Sequence, residues 1–555
     1  MPERLRRQLS ESGAALRAAA ANPDLRRLEL ALAALVVGQW SYTVVVAVYA
    51  YHQGGAVAVG LVGLIRMLPA AFAAPLTALI ADRYRRQRVL LVAAVLEGLG
   101  VGVTAAAVVG DAPSLVVYAI TAGVQLATTA AVPARAALIP SIARSPEELT
   151  AANVAATTID SVGAFAGPAV AGVLVGFADA GVVLVVVTAV FGCAGLLLAR
   201  IRPDERPRLQ ARTGDVLGEL LAGVRVLAGE RKLAVLTGLY ASQTLVAGAL
   251  NVLIVVAALE LLDLGDAGVG YLNAAIGIGG IAGAVVMFAL VARTQRLAPH
   301  FALGMVLWGV PMILVALWTH PVFAFAVLGL LGVGNTLVDV AGVTLLQRAV
   351  PDVVLARVFG VLESLTWGTI AVGSVAASGL VAALGARGAL AVAGALLPLL
   401  TVLSWRQLAA LDTTPPDPAA VELLSGTPFV APLPHPVLEA LAAALEEVRI
   451  PAGGVFFRRG EAGERFYVIS TGEVEVDVGE GEPIVLGRGD FFGEIALLAD
   501  VPRTATVRAR TPVEAYALPG DAFVAAVTGH AESAEAANLV IASRLGSASS
   551  RGASV

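Results

Sequence analysis

Twelve runs of about twenty mostly apolar residues, the length a helix needs to cross a bilayer core, recur through the first 408 positions. They are centred near residues 40, 69, 99, 124, 163, 190, 246, 280, 308, 334, 371 and 397. No other feature limits the fold so strongly, because backbone groups in hydrocarbon must satisfy one another and only helices or closed barrels allow that. Composition agrees: 58% of the 555 residues are hydrophobic and 14% are charged, against about 25% charged in soluble domains. The runs divide six and six about the polar stretch 200–232.

Basic residues orient the runs. Alternate loops carry twenty-four Lys and Arg, and the intervening loops carry one, Arg387. By the positive-inside rule both termini are expected in the cytoplasm and the chain in the plasma (inner) membrane as a multi-pass protein. Residues 1–27 hold six arginines, so membrane lipid is an expected partner, and no cleavable signal peptide is expected before Leu28. The single cysteine, Cys193, lies in an apolar run, and the five histidines form no ligand-like pair. No metal site, disulfide or cofactor is therefore expected. Phosphate loops and nucleophile elbows are absent, so an enzyme is not expected, nor is a nucleic-acid partner.

The halves echo one another. Residues 138–176 and 345–383 both pass from a helix through a Pro-containing polar turn into a helix rich in small residues, as in transporters built from internal repeats. The expected organisation is a basic segment 1–27, a first six-helix half 28–199, a cytoplasmic loop 200–232 and a second half 233–408. A Pro-rich linker 409–432, a separate domain 433–545 and a tail 546–555 follow. Within 433–545, short β-like runs separated by glycines predict a small β-roll, and helical sequence returns at 520–545.

That domain contains FFGEIALLADVPRTATV at 491–507. The start of its short helix favours an anion. Arg503 can grip a phosphate through two charge-assisted bonds, and Glu494 can accept from a sugar hydroxyl. The stretch resembles the phosphate-binding cassette of cyclic-nucleotide-binding domains, and 458–476 and 487–494 fit the same family's β-roll. The resemblance implies Glu494 on the ribose 2′-hydroxyl and Arg503 on the cyclic phosphate. It further implies Gly493, Ile495 and Ala496 as the backbone around that phosphate, Thr504 and Ala505 near the base, and 520–545 as a helical lid. Cyclic AMP is the favoured regulatory ligand, with cGMP as the alternative.

The twelve runs, long central loop and cytoplasmic ends resemble the major facilitator superfamily. The implied fold is an all-α membrane domain of twelve transmembrane helices in two six-helix repeats, followed by a cytosolic α+β β-roll. The segment ALIADRYRRQR (78–88) partly matches the family's cytoplasmic latch motif at Asp82, Arg83 and Arg86; Ala78, Arg85 and Gln87 depart from it. GAFAGPAVAG (163–172) resembles the Gly-Pro motif of exporters, through Gly163, Gly167, Pro168 and Gly172.

Ionisable groups inside spans are expensive and by default functional. Arg66, Glu97, Asp160 and Asp339 are such groups, with an Arg66–Asp160 pair one expectation. Gln39, Arg66, Asp160, Gln243, Asn335 and Asp339 are the candidate transport-cavity or coupling residues. Glu363 is expected to pair with Arg357 or a latch residue. The resulting expectation is a secondary transporter exporting a small organic molecule under cyclic-nucleotide control. The alternatives are a membrane-anchored nucleotide sensor and an assembly module holding a homodimer.

Overall fold

The computed structural model describes residues 22–201, 231–291, 296–350, 352–411, 418–433, 435–479 and 482–551, with short pieces between 218 and 229. The basic segment up to residue 21, most of the central loop, residues 412–417 and the last four residues lie outside the described part. Two compact units divide at Leu411 and Asp412.

The first unit is built from α1 (Pro23–Arg83), α2 (Arg86–Val109), α3 (Ser114–Ile142), α4 (Pro146–Phe177) and α5 (Ala180–Ala199). Its second half comprises α6 (Arg231–Val256), α7 (Gly265–Val291), α8 (Ala298–Leu317), α9 (Pro321–Ala349) and α10 (Asp352–Ala409). All ten are long and apolar enough to cross a membrane. At 61 residues, a straight α1 would run roughly 90 Å, about three times the hydrocarbon thickness. It does not run straight: torsions are non-helical at Gly54 and Gly55, and α10 breaks likewise at Gly385. Gly55 and Gly385 have φ of 61° and 69°, backbone that a side chain would strain. Each of these long elements is thus two arms, and the arms and helices together follow the order of the apolar runs in the sequence.

Local chemistry fixes the entry to α4. Ser145 Oγ accepts from the Glu148 amide at 3.2 Å, and Pro146 opens the helix. Both are favoured at helix starts because the first amides have no partner within the helix. The Glu148 carboxylate accepts in turn from the Arg144 amide and the Asn22 side chain, each at 2.9 Å, anchoring the start of α1.

The two halves meet closely where α1 crosses α10 and where α4 crosses α7. A Cβ at Gly60 would stand 2.0 Å from Ser378 Oγ, and one at Gly270 2.5 Å from Gly172 Cα. Ser378 Oγ donates to the Ala56 carbonyl at 2.8 Å. Nearby, Tyr51 donates to Glu260, and His52 Nε2 lies 2.8 Å from Asp266. These contacts gather at the helix ends joined by the Arg-poor loops. The Gly-Pro motif serves the same packing: Gly172 meets α7, whereas Gly163 and Gly167 lie against Val36 and Trp40 of α1. Small residues let such crossings approach without water-driven burial.

The second unit is a β-roll with helical flanks. One antiparallel sheet has the order β1 (Glu446–Ile450), β8 (Val513–Pro519), β3 (Arg465–Thr471), β6 (Phe491–Phe492). The other has β2 (Val455–Phe457), β7 (Thr506–Ala509), β4 (Val474–Asp477), β5 (Ile484–Leu486). Helices α11 (Pro418–Ser425) and α12 (His435–Ala443) precede the roll, α13 (Glu494–Leu498) interrupts it, and α14 (Gly520–Thr528) and α15 (Ala531–Arg551) follow. Residues 418–432 fall in the stretch expected as linker, yet Leu424, Phe429 and Val430 are fully buried in this unit's core. Phe429 sits edge-on to Phe466, Phe491 and Phe523, contacts that favour ring pairing beyond simple burial. The folded unit therefore extends further upstream than the sequence suggested.

Because Gly60 has no room for a side chain, Gly60→Val should push the α1–α10 crossing apart, an overpacking cost of about 1–3 kcal/mol. Spin labels at the exposed Val57 and Leu384, in a Cys193→Ser background, should show a longer mean separation by pulsed dipolar spectroscopy. An unchanged distance would refute the close-crossing account.

Candidate functional site

The β-roll encloses a cavity of about 270 Å³, lined by all seven cassette residues expected from sequence: Gly493, Glu494, Ile495, Ala496, Arg503, Thr504 and Ala505. This is near the lower end of small-molecule pockets, about 300–1,000 Å³. Its floor is apolar, with Phe457, Val476, Phe492 and Val507, so a flat heterocycle loses little by leaving water there.

The polar end is held by few contacts. Gly493 caps α13 with φ of 91°, and a Cβ there would stand 2.7 Å from Arg503 Nη1, so only glycine fits. Arg503, 4% exposed, donates Nη1 to the Gly493 carbonyl at 2.9 Å and Nη2 to the Arg465 carbonyl at 2.8 Å. Its guanidinium carbon lies 4.0 Å over the Phe457 ring. Its Nε has no hydrogen-bond partner. A guanidinium carries five N–H donors, so the side chain is aimed by two carbonyls and retains donors for an anion.

Glu494 is 1% exposed. Its Oε1 accepts from Arg544 Nη1 at 2.7 Å, and its Oε2 has no partner. Burial pushes this carboxyl above the usual range, while Arg544 and then Arg503 draw it back. An unfilled acceptor on a buried carboxylate suits a hydroxyl donor. Arg544 comes from α15, lines the same cavity, donates to the Phe491 carbonyl at 3.1 Å and lies 4.4 Å over the Phe491 ring. Sequence reasoning placed a lid at 520–545 but did not single out Arg544. One arginine on a polar helix carries no local signal, and only the fold brings it 50 residues back to Glu494.

The transport candidates do not form one cluster. Asp160 pairs with Arg135 through two bonds of 2.7 and 2.8 Å, which corrects the expected Arg66–Asp160 pair: a planar guanidinium one helix away meets both carboxylate oxygens. Gln39 was expected in the central cavity; instead it turns into the first half and donates to Glu97 at 2.9 Å. Asn335 accepts from Gln243 at 3.3 Å and Trp308 at 3.1 Å, and donates to Asp339 at 2.9 Å. That chain lies within the second half. Glu363 accepts from Trp367 Nε1 at 2.9 Å, and the Arg357 side chain lies outside the described residues. Arg66, of the six candidates, lines a cavity between the halves, together with Trp40, Asn251 and Asn273. In the latch segment, Arg86 donates to the Ala137 carbonyl at 3.1 Å; the side chains of Asp82 and Arg83 lie outside the described residues.

Comparison with known proteins assigns both units. The family model for the Major Facilitator Superfamily matches residues 29–303, and that for the cyclic nucleotide-binding domain matches 447–530. A cAMP-dependent protein kinase regulatory subunit of Emericella nidulans is 44% identical over 85 residues, 15% of this chain and 21% of that protein. A cyclic nucleotide-gated potassium channel of Mesorhizobium japonicum is 36% identical over 129 residues, 23% of this chain and 36% of that protein. The chain thus spans well under half the length of these relatives. The crystal structure of a POT family transporter in complex with a thioalcohol-conjugated peptide aligns with a TM-score of 0.58 at 14% identity, over 70% of this chain and 96% of that one. At that identity the likeness concerns fold alone. The chain is a member of the major facilitator superfamily that also carries a cyclic nucleotide-binding domain.

Proposed function

We propose that this protein is a secondary transporter, working as an exporter of small organic molecules, whose activity is set by cAMP bound in the β-roll. The observation that carries the reading is the convergence, on a chain with a transporter fold, of Glu494 and Arg503 on one cavity with unused hydrogen-bonding capacity. A cyclic nucleotide supplies what is missing there: an anion for Arg503, a hydroxyl for Glu494 Oε2 and a flat ring for the apolar floor. The regulatory subunit and channel relatives are named for cyclic nucleotides, which supports the same ligand class here. The arginine-rich loops support cytoplasmic termini, which would place the β-roll in the cytosol. In that orientation the close contacts between the halves gather at the end away from the cytosol. The Gly-Pro motif favours export. A ligand shifts such an equilibrium only by binding one state better, typically by about 1–3 kcal/mol.

Calorimetry of the full chain in detergent should show saturable cAMP binding, tighter than cGMP. Arg503→Ala should weaken it roughly 10- to 100-fold, the worth of charge-assisted bonds. Flux in reconstituted vesicles should change with cAMP and lose that response in Arg503→Ala; no heat of binding at millimolar nucleotide would sink the proposal.

Glu494 also predicts a pH signature. Its carboxyl is raised in the folded state, so the native form holds the proton more tightly than the unfolded chain. Its contribution to stability is therefore full below the ordinary carboxylate range and falls as pH rises through the raised value. In urea titrations of the C-terminal unit, Glu494→Gln should flatten that fall. An identical slope in both proteins would show that another group carries it.

A further inference from the structure

Arg66 is a buried cation without an anion. It sits on the second arm of α1 and is 7% exposed. Its Nη2 donates to Thr43 Oγ1 at 3.2 Å and to Gln125 Oε1 at 3.1 Å, both neutral acceptors. Its guanidinium carbon stands 5.6 Å from the Tyr42 ring centroid, and its Nε has no partner. The acids that could have neutralised it are engaged elsewhere: Asp160 by Arg135, Glu97 by Gln39 and Asp339 by Asn335. Among the described residues no carboxylate lies within salt-bridge distance of Arg66.

A charge in that position has to have a use. Leaving one buried and unpaired costs several kcal/mol, and charged groups within spans mark ligand or ion paths. Arg66 faces the cavity of about 50 Å³ between the halves. Further polar groups come from the opposite half: Asn251 from α6, Asn273 from α7 and Ser374 from α10. Trp40 and Met67 supply apolar walls. Asn273 is aimed by its own bond to the Val269 carbonyl at 2.8 Å and keeps a second amide hydrogen. The volume admits a carboxylate head and no more, as suits the closed end of an alternating-access path, and repeat interfaces near the bilayer midplane are where such carriers bind.

We propose that this cavity is an anion site that recognises the carboxylate of the transported molecule, with Arg66 as counter-charge and Asn251 and Asn273 as donors from the other half. That the ligand is transported rests on the carrier reading above; the anion site does not. Binding from both halves would make ligand occupancy favour the closed seam.

The test uses the full chain in detergent, with thermal unfolding followed by tryptophan fluorescence. Hexanoate and benzoate are compared with hexanamide and benzamide, with hexylamine and benzylamine, and with chloride, at equal concentration and ionic strength. Both carboxylates should raise Tm, by linkage to the folded state. Arg66→Gln should abolish the rise and Arg66→Lys should retain part of it. Gln125→Glu places a carboxylate on the Arg66 fork, so it should raise Tm without any added compound and remove the response to carboxylates. Retained cAMP binding and an unchanged elution profile exclude misfolding of the variants. Equal protection by amides, amines or chloride overturns the proposal, as does carboxylate protection that survives Arg66→Gln. Absence of protection together with an unshifted Gln125→Glu overturns it too. Carboxylate binding without carboxylate flux in vesicles would leave the anion site standing and count against the carrier.

Discussion

Removing a charge from water costs several kcal/mol unless another group takes over the role of the solvent, and that cost orders this chain from end to end. It keeps the arginines on alternate loops, so that the apolar runs cross with one handedness of charge. Inside the spans Asp160 is answered by both arms of Arg135 and Asp339 by an amide, whereas Glu97 is answered by an amide on one oxygen and left without a partner on the other. In the β-roll it leaves Glu494 with one oxygen answered by Arg544 and one not. Where the answer is complete the group is structural. Where it is half complete and the group also lines a cavity, as at Arg66, Arg503 and Glu494, a ligand is the natural remainder.

The second constraint is steric, and it makes the first useful. The halves touch through glycines and serines at α1–α10 and through Gly172 and Gly270 at α4–α7. Such contacts carry little hydrophobic drive in lipid, so they can separate and re-form at small cost. A carrier needs that near-balance. In the β-roll, by contrast, the aromatic core around Phe429, Phe466 and Phe523 is ring-packed and fully buried. Arg544 is the exception, since it ties α15 to the same carboxylate that a ribose hydroxyl would use. Filling the open oxygen of Glu494 alters the hydrogen bonding of a group on which α15 depends, which gives a bound nucleotide a physical route to the terminal helix.

The periodic features were legible in advance. Apolar runs of membrane-crossing length, charge alternation between loops and the spacing from Glu494 to Arg503 are local, and physics reads them locally. Pairings between distant helices were not. Arg135 lies near the polar turn at 143–146 and reads as one more loop cation, yet in the fold it reaches Asp160 of α4. Gln39 and Trp40 are neighbours in sequence, and only the rotation of α1 decides that Trp40 lines the inter-half cavity while Gln39 turns to Glu97. Residues 418–432 read as linker because of their prolines, but Leu424, Phe429 and Val430 supply side chains the β-roll core needs.

Arg66 and Arg135 show why the kind of partner matters more than its presence. Both are held by two hydrogen bonds to other side chains. Arg135 is cancelled by Asp160, so its field ends there. Arg66 is held by a threonine and an amide, which accept hydrogen bonds and leave the charge intact. Neutral acceptors therefore do two things at once: they fix the guanidinium plane in the empty state, and they preserve its pull on an anion. A carboxylate partner in place of Gln125 would hold the side chain as firmly and silence it. A carrier that must release its cargo benefits from the first arrangement, because the arginine stays in place after the ligand leaves, and each cycle begins with the site already built.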